Sequence, residues 1–303
     1  MLRSLFSGVT GMKSNQTKMD VIGNNIANVN TTAFKSGRVN FKDMLSQTIQ
    51  SANAPSEGRG GANPKQVGLG VAVAGIDTNM TQGGLQPTGR ASDLAIEGNG
   101  FFVVSDGNET RFTRDGSFTL DKDGNLITSE GYHVMGAVND NIGSGTFDAD
   151  SGENLTPDPG TFDNTTTSSD LKNIIIPLEA TVGGNTVKIT SFGVESDGTI
   201  RAVYGDKTVK VGQIILAAFQ NTAGLTKMGG NTYMASLNSG DPVYGTAASS
   251  GYGNIQQEML EMSNVDLANE FTDMIITSRA FQANSRTITT SDEMLQELLN
   301  LKR

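Results

Sequence analysis

The two ends of the chain carry the same kind of apolar pattern, and nothing between them does. Residues 2–27 place Leu2, Leu5, Val9, Met12, Met19 and Ile26 on the alternating three- and four-residue steps of a coiled-coil seam. Residues 264–302 place Leu267, Phe271, Met274, Phe281, Ile288, Leu295 and Leu298 on the same steps. The stretch between them is rich in Gly and Thr and alternates in period two. A chain patterned in this way leaves a central β body and returns to it through a helical stalk. Such a stalk exposes a narrow apolar stripe and gains most when copies pack together. That points to assembly rather than catalysis.

Composition closes off several function classes. The chain has 303 residues, room for two or three domains, and a net charge of −10. Nucleic-acid binders carry a basic patch or stripe, so no nucleic-acid partner is expected. No run of five like charges occurs, and the acidity reads as a dispersed solvated surface. Cysteine is absent and His133 is the only histidine. Disulfides, thiolate metal sites and Cys nucleophiles are thereby excluded. The composition also points away from a Ser-His-Asp set and from a multi-histidine metal site. His133 reads as a surface or packed residue of a strand. We therefore expect no catalytic residue, no metal and no cofactor. There is no apolar run of 18 residues, so no membrane-inserted helix is expected. Ser7, Gly8, Thr10, Gly11, Lys13, Ser14 and Asn15 interrupt any signal-peptide core. Work outside the cytoplasm would need another export route.

Along the chain, residues 2–27 read as an amphipathic helix weakened by Gly8, Gly11 and Gly23, each costing about 1 kcal/mol relative to alanine. Alone it would be marginal in water, and it is expected to order on assembly. Asn24, Asn25, Asn28, Asn30, Thr31 and Thr32 then end it. In the connecting segment 33–66, Phe41, Met44, Leu45 and Ile49 are spaced for a short helix, followed by a turn-rich linker at 51–64. Period-two patterning begins at Val67 and runs to 73, with further strands expected at 93–97, 100–105, 110–114, 117–121, 125–129 and 132–138. Hairpin signals separate them: Gly98-Asn99-Gly100, Asp106-Gly107-Asn108, Asp115-Gly116 and Asp123-Gly124-Asn125. Residues 139–172 are a composition break, read as a surface loop or a vestigial inserted domain. Strands resume at 174–177, 186–190, 192–195, 199–204 and 213–219, and 220–254 reads as irregular. A proline-free helix is expected from Asn264 to Lys302, capped by Ser263 or Asn264, with Asp266 in its first turn. It would span roughly 58 Å.

The expected fold is α+β: a discontinuous coiled-coil-like domain of the N- and C-terminal helices, plus a mainly antiparallel β domain. The helical domain takes 1–32 and 255–303; the β-rich outer domain takes 67–138 and 173–254. Asp121-x-Asp123-x-Asn125 opens like a calcium loop, but Leu126 stands where glycine is required and Tyr132 where the bidentate glutamate falls. A type I′ hairpin turn accounts for the same residues. Gly68-Leu69-Gly70 and Gly98-Asn99-Gly100 lack the phosphate-loop fingerprint.

At Asn24-Asn-Ile-Ala-Asn-Val-Asn-Thr-Thr-Ala-Phe-Lys35 the sequence resembles the signature of bacterial flagellar axial proteins of the rod and hook, whose commoner form has Gly where Ala33 stands here. Thr81–Gly89, Asp93–Phe102, Phe112–Phe118, Glu261–Leu267 and Asn284–Ile288 agree with it. Within the family, Phe34–Met44 and the ending Ile288–Lys302 are hook-like, and the distal rod protein is the alternative. Many hook proteins carry a further outer domain where only 139–172 stands here. The resemblance implies export through the flagellar type III apparatus without a cleaved signal, and a location in the hook or basal body. It implies a helical polymer of copies of this chain, in contact with rod proteins, the hook cap and hook–filament junction proteins. In the hook, a curved flexible tube would act as a universal joint. The expected assembly contacts are Leu5, Val9, Met12, Met19 and Ile26, faced by Leu267, Phe271, Met274, Phe281, Ile288 and Leu295. Asn28, Thr32 and Phe34 mark the connecting signature. A ligand-binding or catalytic β protein on a helical stalk would need a chemical pocket that no motif marks. A surface adhesin would lie along the cell rather than in the flagellum.

Overall fold

The computed structural model describes residues 2–54, 60–61, 63–139, 147–148, 155–156, 170–182 and 185–300. It contains the two expected helices, α1 (Leu2–Ala27) and α2 (Leu267–Asn300), with antiparallel strands between them. The chain divides into two compact units. One holds residues 1–29, 35–79 and 265–303; the other holds 30–34 and 80–264. These limits differ from the sequence-based ones. Residues 35–79 belong with the helices rather than with a connector and the outer domain, and 255–264 belong with the β unit.

In the helical unit, α1 and α2 run antiparallel. Lys18 Nζ lies 3.3 Å from Asp273 Oδ1, and Asn25 Nδ2 donates to Glu270 Oε1 at 3.0 Å. At the other end a Cβ on Gly8 would lie 3.1 Å from Ile288 Cγ1. Asn28 closes α1: its side-chain amide donates to Asn24 O at 2.9 Å and to Asn24 Oδ1 at 2.7 Å. Helix α2 starts later than expected, because Asp266 itself is the cap. Its Oδ1 accepts from the backbone of Ala268 at 2.9 Å and of Asn269 at 3.4 Å, and its charge suits the helix N-terminus. Residues 301–303, which the expected helix included in part, lie outside the described residues.

The short helix expected around Phe41–Ile49 is absent. Gly37–Asp43 pairs antiparallel with Val71–Thr78, and Ser46–Gln50 pairs with Lys65–Gly68. The apolar spacing permitted a helix, but β-branched partners at 65–78 offered a ladder, and tertiary pairing overrode local pattern. The single strand expected at 67–73 is split at Leu69-Gly70. Gly70 has φ 126, and a Cβ there would lie 2.3 Å from Thr10 Oγ1, so a side chain is barred both by conformation and by space.

In the β unit, Phe101–Ser105 and, within Lys207–Ala218, residues 211–217 are central and buried on both faces. Phe102, Val104, Ile214 and Leu216 enter one hydrophobic core, while Phe101, Val103, Ile215 and Ala217 enter a second. Their continuous apolar runs follow from this two-sided burial. The Asp121–Asn125 and Glu195–Thr199 turns share one geometry. Gly124 N donates to Asp121 O at 3.0 Å and Gly198 N to Glu195 O at 2.9 Å, each glycine at φ 82. With Lys122 and Asp123 outside the positive-φ region, the first is a type I turn closed by a left-handed glycine, not the expected type I′ turn. A turn with two successive positive φ values occurs instead at Gly230-Asn231. It joins Thr226–Gly229 to Thr232–Met234, in the stretch expected to be irregular. Val243–Thr246 is also a strand of that stretch, and Asn254–Gln257 begins at its last residue. Ile174 and Ile176 fill the first core without forming the expected ladder strand. The strands expected at 186–190 and 192–195 are one strand, Asn185–Val194, with an irregularity between Ile189 and Ser191. Most of 139–172 lies outside the described residues; Phe147–Asp148 and Leu155–Thr156 are short strands within it.

Candidate assembly interface

The α1–α2 contact is built largely from small and polar residues. On α1 the buried positions are Gly8, Gly11, Ser14, Ile22 and Asn25. A Cβ on Gly11 would lie 2.6 Å from Asn284 Nδ2, so the glycines that weaken α1 as an isolated helix permit the close approach of α2. Asn25 does double duty. Its amide donates to Gly37 O and accepts from Gly37 N, both at 2.9 Å, and donates to Glu270 as well. That pair of bonds mimics a strand pairing and fixes the end of α1 to the first hairpin. Burial pushes the Glu270 carboxyl above its ordinary value, and the Asn25 bond opposes that shift.

On α2 two heptad lines face α1. One is apolar: Met274, Phe281, Ile288 and Leu295, all half-buried. The other is polar: Glu270 and Asn284, half-buried, and Thr277 and Ser291, buried. Sequence reasoning missed this second line, although its seven-residue spacing was visible, because polar residues were not counted as seam. Of the expected α1 contacts, Leu5, Met12, Met19 and Ile26 are half-buried beside the true contact line, and Val9 is exposed. Val9, Leu267 and Phe271, expected as assembly contacts, are not covered by the opposite helix of the same chain: the three are 37%, 38% and 49% exposed. Counting every apolar residue on a three–four step had widened the seam beyond what one partner helix covers.

The signature residues 30–34 are tied into the β unit. Thr32 O accepts from Asn231 Nδ2 at 2.9 Å, Ala33 N donates to Glu261 O at 2.8 Å, and Phe34 O accepts from Asn264 N at 3.3 Å. Lys227 Nζ stands 5.1 Å over the Phe34 ring. Ala33 is buried at φ 54, a left-handed conformation that glycine adopts without strain.

Exposed apolar surface is distributed unevenly. Of eighteen large hydrophobic side chains exposed among the described residues, fifteen lie in the helical unit: nine between Phe6 and Ile76 and six on α2. Isolated exposed hydrophobics need no explanation, but concentration on one unit marks an interaction surface. No group of three or more His, Cys, Asp or Glu side chains is arranged to hold a metal among the described residues.

Three family models match the chain. They are the flagella basal body rod protein at residues 5–35, the flagellar hook protein FlgE/F/G D1 domain at 95–202, and the flagellar basal body rod FlgEFG protein C-terminal region at 256–301. The flagellar basal-body rod protein FlgG of Bacillus subtilis is 46% identical over 305 residues, covering all of both chains. The flagellar hook protein FlgE of Borreliella burgdorferi is 33% identical over 441 residues, again covering all of both. This chain belongs to the FlgE/F/G family of flagellar rod and hook axial proteins. The family's named relatives are structural parts of the flagellum, not enzymes. Among solved structures, the Helicobacter pylori flagellar hook protein FlgE2 aligns with 58% of this chain and all of its own, at 12% identity and a TM-score of 0.41. The three matched segments carry most of the first helix and the signature, part of the β unit, and the last helix.

Proposed function

We propose that this family member is the subunit of the flagellar hook. Copies exported without a cleaved signal through the type III apparatus would add at the distal end under the hook cap. They would form a curved, flexible tube between the rod and the hook–filament junction proteins, transmitting torque as a universal joint. The helical unit would supply the axial contacts and the β unit the outer surface.

The concentration of exposed apolar side chains on the helical unit supports polymerisation. Identity counted in residues supports the hook. Identity of 33% over 441 positions is roughly 146 identical residues, and 34% over 463, with the Treponema pallidum hook protein FlgE, is roughly 157. The Bacillus rod protein shares roughly 140, 46% of 305. The Borreliella rod protein FlgG shares only about 107, 35% of 306. The long alignments mean that the hook relatives contain residues this chain lacks, in keeping with a reduced outer region. A distal-rod role is the second reading, favoured by the near-equal length of the Bacillus FlgG alignment.

Deletion of the gene separates the two. A hook subunit's loss leaves basal bodies with complete rods and no hook. Rods truncated before their distal segment would refute the hook assignment and favour the rod.

A further inference from the structure

The faces of α1 and α2 that point away from each other carry matching charges. Lys13 and Asp20 lie seven residues apart on the face of α1 opposite Gly11 and Ile22, and both are exposed. Arg286 and Glu293, also seven apart and exposed, lie on the outer face of α2. No ion pair among the described residues engages any of the four.

We propose that these two lines form a contact between copies, with the outer face of α1 seated on the outer face of α2 of a second copy. The inference rests on the polymer-subunit reading above and names the surface through which it operates. Copies in a polymer point the same way, so α1 of one meets α2 of its neighbour antiparallel, as within one chain. In that sense, setting Lys13 against Glu293 sets Asp20 against Arg286, because both steps are seven residues. Two opposite-charge pairs then form in one register, and a heptad slip loses at least one of them. The exposed Phe6 and Val9 run along the last turns of α2, beside the exposed Met294. Within one chain Gly8 approaches Ile288. The intermolecular register is therefore displaced by about ten residues, an axial stagger of roughly 15 Å. The two faces are different surfaces of the same molecule, a heterologous contact that propagates rather than closes. Exposed ion pairs add little energy individually; their role here is to select register and partner.

The test uses charge-swapped full-length proteins with unchanged net charge, Lys13→Glu/Asp20→Lys and Arg286→Glu/Glu293→Lys, read by sedimentation and negative-stain microscopy. Each double variant alone is expected to need about tenfold more protein than wild type to polymerise, with the difference shrinking in 1 M salt. An equimolar mixture regains polymerisation, because each variant's altered face matches the other's, and the quadruple variant polymerises alone. Circular dichroism equal to wild type establishes that the variants fold. Polymerisation by each double variant at wild-type concentration overturns the proposal, as does a mixture that fails while wild type polymerises. Failure of wild type itself to polymerise at any protein concentration overturns the subunit reading as well.

Discussion

Removing the Glu261 carboxylate should unfold the β unit far more readily than removing its partner along with it. Glu261 is fully buried, 3.4 Å from Arg114 Nη1, whose side chain is only 6% exposed. Glu261 Oε1 also accepts from Gly83 N at 2.9 Å, and Arg114 Nη2 donates to Gly98 O at 2.8 Å. The guanidinium stands 5.2 Å over the Phe101 ring. This cluster joins Leu85–Pro87 and Met259–Glu261, which pair with each other, to the central strands. Burial lowers the Arg114 pKa and the Glu261 charge opposes that shift. Glu261→Ala leaves a buried cation with one backbone acceptor and orphans Gly83 N, for an expected loss of about 3–5 kcal/mol. Arg114→Met with Glu261→Leu removes both charges and should lose no more than about 2 kcal/mol. Urea unfolding followed by circular dichroism measures both. A loss below about 1 kcal/mol for Glu261→Ala, or a double variant as unstable as the two singles combined, would refute the view that charge pairing holds this junction.

Phe281→Asp places a charge in the apolar line of α2 and should cost the helix pair about 3 kcal/mol; negative-stain microscopy is expected to find no polymer while the β unit keeps its unfolding transition. Glu270 is raised by burial, so its folded pKa exceeds its unfolded one, and its contribution to the helix pair is complete below the ordinary carboxylate value and lost as pH rises through the folded value. Glu270→Gln should therefore raise the thermal midpoint of the helix pair at pH 7 more than at pH 4, and an equal shift at both would contradict it. Tyr204 is buried, donates to Pro177 O at 2.6 Å, and is pushed up to about 12 by burial; Tyr233 is likewise raised to about 12. Their contribution is intact below pH 10 and lost between pH 10 and 12, so the β unit's stability should fall across that window in wild type and less steeply in Tyr204→Phe.

Helix existence, strand existence in the first β half and the family signature were legible because periodicity and turn glycines are local signals. What local pattern hid was decided by partners. Phe41–Ile49 has helical spacing, yet Ser46–Gln50 found Lys65–Gly68 to pair with. The α1 contact line was invisible to apolar counting because Gly8 and Gly11 contribute by having no side chain. The same holds for Thr277 and Ser291, which pack as small side chains at helix contact positions. Ala33 carries the reverse lesson: the left-handed φ explains why glycine serves at that signature position.

Labelling isolated hook–basal bodies with antibody against the β unit separates a hook subunit from a rod subunit. A hook subunit gives label along the curved segment outside the envelope, with β units displayed on its surface. Label confined to the straight segment within the envelope would contradict the hook reading and assign this chain to the distal rod.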